Sequence, residues 1–229
     1  IGQAMSGFMS VNGTAESEPL RSGLPISDLM AGLYAALGVV SALFARSNGV
    51  AQGQYVESSL TNSLISLLAY CSAQYFVNAE TPPRTGNDHP LVYPYGLFHA
   101  SNGAVAIAPS NDTFVQRLFQ VLDLSHLLEQ ADFADNDARM RNRESLRALI
   151  NEKIGQQSVA YWIEILNQAG VPCGRVNSLD DVFHDEQVLQ QQMVLDVEHP
   201  GYGNVRMTGF PLKLSATPAQ IRRPSPRLG

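Results

Sequence analysis

The chain has 229 residues, of which 45% are hydrophobic and 16% charged, with a formal net charge of −6. These values describe a folded globular protein with a sizeable core, not a disordered chain, and exclude the basic stripe that nucleic-acid binding requires. Two isolated cysteines, Cys71 and Cys173, make neither a disulfide framework nor a zinc site, so no metal and a reducing, cytoplasmic setting are expected. In chain order, residues 2–11 are predicted as a short helix stopped near Asn12-Gly13, and residues 14–27 as a loop. Residues 29–45 form the most apolar stretch, LMAGLYAALGVVSALFA, bracketed by Asp28 and Arg46. It falls short of the ~20 residues that span a bilayer and suits the centre of a large domain. Ser47-Asn48-Gly49 supplies its stop. Residues 52–56 read as brief and extended, and residues 60–76 as helical through Leu60, Leu64, Leu67 and Leu68.

A polar, Pro-rich loop follows at 81–95, and residues 96–108 read as a β-hairpin turning at Asn102-Gly103. Helices are predicted over 111–122, 143–154 and 158–169, the first capped by Asn111 or Asp112 and the last by Ser158. A strand at 171–176 and a helix at 178–183 with an acidic first turn come next. From Met193 the pattern is β-rich, over 194–198, 205–207 and 212–214, before an extended Pro-rich tail from Thr217. The first residues, Ile1-Gly2-Gln3-Ala4-Met5, carry no initiator Met and no signal-peptide pattern, so the chain is expected to begin inside a longer protein.

Three segments carry candidate chemistry. Ser27 or Asp28 can cap the long helix, and a carboxylate there is also held as an anion by the helix dipole, ready to attack an activated acyl carbon. Both roles are open to Asp28. The loop Arg84-Thr85-Gly86-Asn87-Asp88-His89-Pro90 suits a pocket lid, or a rigid linker whose tyrosines pack on the hairpin. Asp88-His89 as a catalytic dyad is disfavoured because adjacent residues rarely converge on one substrate. Cys173 has no base identifiable beside it. Arg139, Arg141, Arg143 and Arg147 surround one helix start, as ion-pairing residues or as contacts to an anion.

Together these segments resemble the class III CoA-transferase family, which includes formyl-CoA transferase, the carnitine CoA-transferases and alpha-methylacyl-CoA racemase. The resemblance is carried by Gly23-Leu24-Pro25-Ile26-Ser27-Asp28-Leu29, by Ala51-Gln52-Gly53-Gln54-Tyr55-Val56-Glu57-Ser58-Ser59 and by Arg84 to Pro90 with Pro94-Tyr95-Gly96. Ala169-Gly170-Val171-Pro172-Cys173-Gly174-Arg175-Val176 and a tail with Pro211-Leu212-Lys213-Leu214-Ser215 and Arg227-Leu228-Gly229 complete it. It implies an α/β fold in which an incomplete Rossmann-like large domain accompanies a small α+β domain, within an interlocked homodimer. Residues 1–80 and 181–229 would belong to the large domain, 81–95 to a linker and 96–180 to the small domain. The segment supplying most coenzyme A contacts would precede this chain. The resemblance makes Asp28 the nucleophile and places Gly86, Asn87 and His89 at the substrate. The implied reaction moves coenzyme A between an acyl-CoA and a small carboxylic acid, with the thioester as substrate and no tightly bound cofactor. No membrane or nucleic-acid partner is implied. The loop lacks the consecutive glycines of formyl-CoA transferase, which disfavours that substrate. A 2-methylacyl-CoA racemase, pairing Asp28 with a histidine from the preceding segment, and a truncated inactive fragment are the alternatives.

Overall fold

The computed structural model describes residues 1–226; the tail residues Arg227, Leu228 and Gly229, part of the family resemblance, lie outside them. The opening residues form two one-turn helices, α1 (Gly2–Met5) and α2 (Phe8–Val11). The single helix expected there breaks at Gly7, whose φ of 82° lies in the left-handed region that glycine adopts freely. After a loop comes α3 (Ile26–Ser47), ended by Asn48 and by Gly49 at φ 71°. The helix expected over 60–76 is two, α4 (Leu60–Ser66) and α5 (Ala69–Asn78), because Ala69 takes φ 43° and interrupts the ladder.

The hairpin forms as expected. β1 (Gly96–Ala100) and β2 (Gly103–Ile107) pair antiparallel, with Phe98 opposite Val105. Phe98, Val105 and Ile107 face the core from alternate positions, as the two-residue period of a strand dictates. Then α6 (Asp112–Val121) is capped by Asn111, whose side chain accepts from the Phe114 N–H. A 3-10 turn (Ser125–Glu129) and α7 (Asn136–Arg141) follow, neither legible in the apolar pattern. Next are α8 (Arg143–Ile154) and α9 (Val159–Gln168), the latter capped by Ser158. β3 (Cys173–Arg175) joins the hairpin beside β2.

The core of this first unit lies between hairpin and helices. Leu146, Ile150 and Ile154 on α8, Trp162 and Leu166 on α9, and Val115, Leu118 and Phe119 on α6 close over Phe98 and Val105. Each such side chain contributes about 1.5–3 kcal/mol on burial. The Trp162 indole N–H donates to the Ile154 carbonyl at 2.7 Å, so its polar edge is satisfied inside the core.

The chain divides into two compact units, Ile1–Gly174 and a second from Arg175 onward. The second holds α10 (Leu179–His184), α11 (Glu186–Gln190) and an antiparallel pair, β4 (Val194–His199) with β5 (Gly203–Thr208). The strand expected at 212–214 does not form; those residues are irregular. Its alternating pattern finds no partner strand, and an isolated strand leaves its ladder unpaired.

Helix α3 departs most from expectation. Read as a domain centre, it has no buried residue within this chain, and Leu33, Leu37 and Phe44 are 59%, 60% and 71% exposed. Its 22 residues extend beyond the apolar run, so that by length and composition it could cross a membrane. It rests on the following segment through Ser58 and Ser66, whose hydroxyls donate to the Ala31 carbonyl and the Tyr34 hydroxyl. Gly38 permits that approach: a Cβ there would stand 2.7 Å from Val56 Cγ1.

Candidate active site

Asp28 lies in the first turn of α3 and is exposed. It is not the cap that its position suggested. The capping residue is Pro25, which has no side-chain acceptor, and its carbonyl accepts the first helical bond from the Leu29 N–H. The only hydrogen bond of the Asp28 carboxylate among the described residues comes from the Ser27 hydroxyl, at 3.1 Å. It therefore sits at the positive end of a long helix with one oxygen free of any donor. The approach to α3 is held from behind by Gln3. Its side-chain oxygen accepts from the Ser22 N–H at 2.7 Å and its amide nitrogen donates to the Leu24 carbonyl. Asn12 and Leu20 close the preceding turn through two further bonds.

The strap at 84–95 is stretched between two anchors. At one end the Arg84 guanidinium donates to the Thr14 and Ser17 carbonyls, and the Gly86 N–H to the Gly13 carbonyl. At the other, Asp88 is ion-paired with Arg147 on α8. Arg147 also donates to the Leu97 carbonyl and lies over the Tyr93 and Phe98 rings. Burial opposes the Arg147 charge, but the hydrogen bond to Asp88, with the charges of Tyr93, Asp88 and Glu144, more than offsets it and holds its pKa above the ordinary value. Gly96 makes room for this pair, since a Cβ there would clash with the Asp88 carboxylate. Tyr93 is wholly buried, its hydroxyl has no hydrogen-bond partner among the described residues, and burial drives its pKa far above the usual tyrosine range. The Tyr93–Pro94 peptide is cis.

These contacts sort the expected site residues. Gly86 and Asn87 line a cavity of about 310 Å³ together with Glu16, Arg84, Arg143 and Arg147. His89 is held between the Tyr70 and Tyr95 rings, at 5.5 and 5.0 Å, and its Nδ1 accepts from the Leu91 N–H. It forms no dyad with Asp88, whose carboxylate belongs to Arg147. Asp28 makes no hydrogen bond or ion pair to this loop among the described residues. Of the arginine group, Arg139 and Arg147 are ion-paired with Asp112 and Asp88, and Arg143 with Glu144 at 3.5 Å. Tyr93 of this loop packs in the hairpin core. The roles of Arg84 and Arg147 carried no signal in spacing, since their hydrogen-bond partners lie 50 to 70 residues away.

Neither cysteine is poised as a nucleophile. Burial raises both thiols, and the Cys173 thiol hydrogen-bonds the Ile163 carbonyl and the Asn167 side chain. No group of three or more metal-ligating side chains occurs among the described residues.

A CAIB/BAIF family protein from Brucella suis superposes with a TM-score of 0.80 at 31% identity, over 99% of this chain and 58% of that one. A hypothetical protein from Mycobacterium tuberculosis, at 19% identity, shares the fold with a TM-score of 0.80 over 97% of this chain and 58% of its own. The fold is thus that of an α/β CoA-transferase. Among curated proteins, the chain is 28% identical to the succinyl-CoA:glutarate CoA-transferase of Homo sapiens, over all of this chain and 52% of that protein. It is 31% identical to the succinyl-CoA:mesaconate CoA-transferase of Haloarcula hispanica, over 95% of this chain and 54% of that one. It is 29% identical to the acetyl-CoA:oxalate CoA-transferase of Acetobacter aceti, over all of this chain and 58% of that one. The chain thus spans little more than half the length of these relatives. Residues 1–229 match CoA-transferase family III, and the chain belongs to that family.

Proposed function

We propose that the protein transfers coenzyme A between an acyl-CoA and a small carboxylic acid, with Asp28 as the covalent nucleophile. The observation that carries this reading is an exposed carboxylate in the first turn of α3, in a chain that matches the transferase family from end to end. The relatives above are named for glutarate, mesaconate and oxalate, so a small dicarboxylate is the first acceptor to test. In the first step the Asp28 carboxylate attacks the donor thioester carbonyl, the C–S bond breaks, and coenzyme A leaves as the thiolate. The thiolate then attacks the Asp28 acyl carbon of the mixed anhydride and releases the donor acid. The aspartyl thioester is attacked by the acceptor carboxylate, freeing the thiolate again. The thiolate finally takes the acceptor acyl group and restores Asp28. Splitting the exchange this way keeps the acyl carbon activated throughout.

Gly86, Asn87 and His89 form the substrate-side loop in this reading. No tightly bound cofactor is required. A cytoplasmic homodimer, without membrane attachment, fits the two unpaired cysteines, and a second copy would cover the exposed apolar side chains of helix α3.

In the intact protein, Asp28→Ala is expected to lower coenzyme A exchange at least about a thousandfold. Its circular dichroism should not change, because Asp28 has one hydrogen bond and faces solvent. Hydroxylamine added with acyl-CoA should leave a hydroxamate on the Asp28 peptide of the wild type. Full activity in Asp28→Ala would refute the assignment. Exchange of the substrate α-proton with solvent, without hydroxamate, would identify a racemase instead.

A further inference from the structure

We infer that Arg84 is a positioning residue: it clasps the 84–89 strap to the turn that leads into α3, and so sets the geometry around the proposed nucleophile. The inference rests on the transfer reading above. Arg84 forms no ion pair among the described residues. Its Nε donates to the Thr14 carbonyl at 3.1 Å and its Nη2 to the Ser17 carbonyl at 2.7 Å. Two carbonyls of one turn are thus gripped by one planar fork, a geometry that a lysine ammonium cannot reproduce.

The backbones meet beside this fork. The Gly86 N–H donates to the Gly13 carbonyl at 2.8 Å, and both glycines have positive φ, 64° and 118°. A Cβ on Gly86 would press to 3.2 Å from Thr14 Cγ2, and one on Gly13 would reach 2.6 Å from Ser17 Oγ. The two turns therefore meet where neither glycine leaves room for a Cβ. The clasped turn is closed by Asn12 and Leu20, and the chain then passes through the Gln3-held residues Ser22 and Leu24 into α3. The far end of the strap is fixed to α8 and β1 by Asp88, Arg147 and the Leu97 carbonyl. Arg84 is the bond between these two restrained bodies that side-chain chemistry can cut cleanly. The carbonyls it would release lie at exposed or half-exposed residues, where water replaces it.

The test uses the intact protein with acyl-CoA and hydroxylamine, comparing wild type, Arg84→Met and Arg84→Lys. Hydroxamate formation at Asp28 in Arg84→Met should slow roughly tenfold or more, as a misplaced reacting group does, with the melting temperature little changed. Arg84→Lys should recover part of the rate. A wild-type rate and unchanged KM in Arg84→Met would overturn the inference. If Arg84→Met does not fold, Gly86→Ala carries the test, since its Cβ pushes the two turns apart. A slowed Gly86→Ala with unchanged KM supports the clasp, and a wild-type rate, or a change in KM alone, overturns it. A wild type that forms no hydroxamate overturns the transfer reading and the clasp with it. A trapping wild type beside an indifferent Arg84→Met overturns the clasp alone.

Discussion

Arg139 is 2% exposed, yet each nitrogen of its guanidinium has a partner: it donates to the Tyr93 and Phe133 carbonyls and to the Asp112 carboxylate at 2.6 Å. Asp112 itself is 69% exposed, so the pair is asymmetric. Water can solvate the aspartate alone but cannot reach the two carbonyls. Arg139→Met should therefore lower stability by about 2–4 kcal/mol, against about 1 kcal/mol or less for Asp112→Asn. Urea unfolding of the two variants checks this, and equal losses would contradict it. From composition Arg139 was one of four arginines around a helix start, open to an anionic ligand. Its burial was illegible because a charged residue inside a core breaks the apolar period. Asp28 shows the converse. Its place at a helix start was legible, but the choice between cap and free carboxylate waited on Pro25 taking the cap.

The elements that sequence identified well are those whose signals are local. Asn111, Ser158 and Ser178 each cap the helix that follows them, and Asn102 sits in the hairpin turn. Those lost depend on distant or polar partners. Helix α7 is anchored by Arg139, and the break before α5 comes from Ala69 at positive φ, which no apolar pattern encodes. The cap of α10 also makes a pH-dependent statement. The Ser178 hydroxyl and N–H both donate to the Asp181 carboxylate, at 2.7 and 2.8 Å, and hold it below its ordinary value. A carboxyl lowered on folding stabilises the helix fully above the unfolded value of about 3.9, and that contribution is lost as pH falls through the lower folded value. Titration followed by NMR should place Asp181 below an ordinary aspartate, and Ser178→Ala should move it back up while the remaining N–H keeps part of the shift. Identical titration in both proteins would contradict the cap.

At the scale of the molecule, the hairpin and helices α6, α8 and α9 pack around a buried core, whereas α3 presents Leu33, Leu37 and Phe44 to solvent within this chain. Its apolar character was legible, but not what covers it, since no contact for that face lies in the sequence itself. The candidate site divides the same way. Asp28 and the 84–89 loop were found through the family resemblance of short motifs. The Arg84 and Arg147 anchors appeared only in three dimensions. The account turns on Asp28 carrying the acyl group. Covalent transfer moves one carboxylate oxygen of the acceptor onto Asp28 in each turnover, and a later turnover passes it to the released donor acid. Incubation of the intact protein with acyl-CoA and acceptor acid labelled with heavy oxygen, followed by mass spectrometry of the peptide containing Asp28, reads this directly. The account predicts label in that carboxylate only when both substrates are present; turnover that leaves Asp28 unlabelled would contradict it.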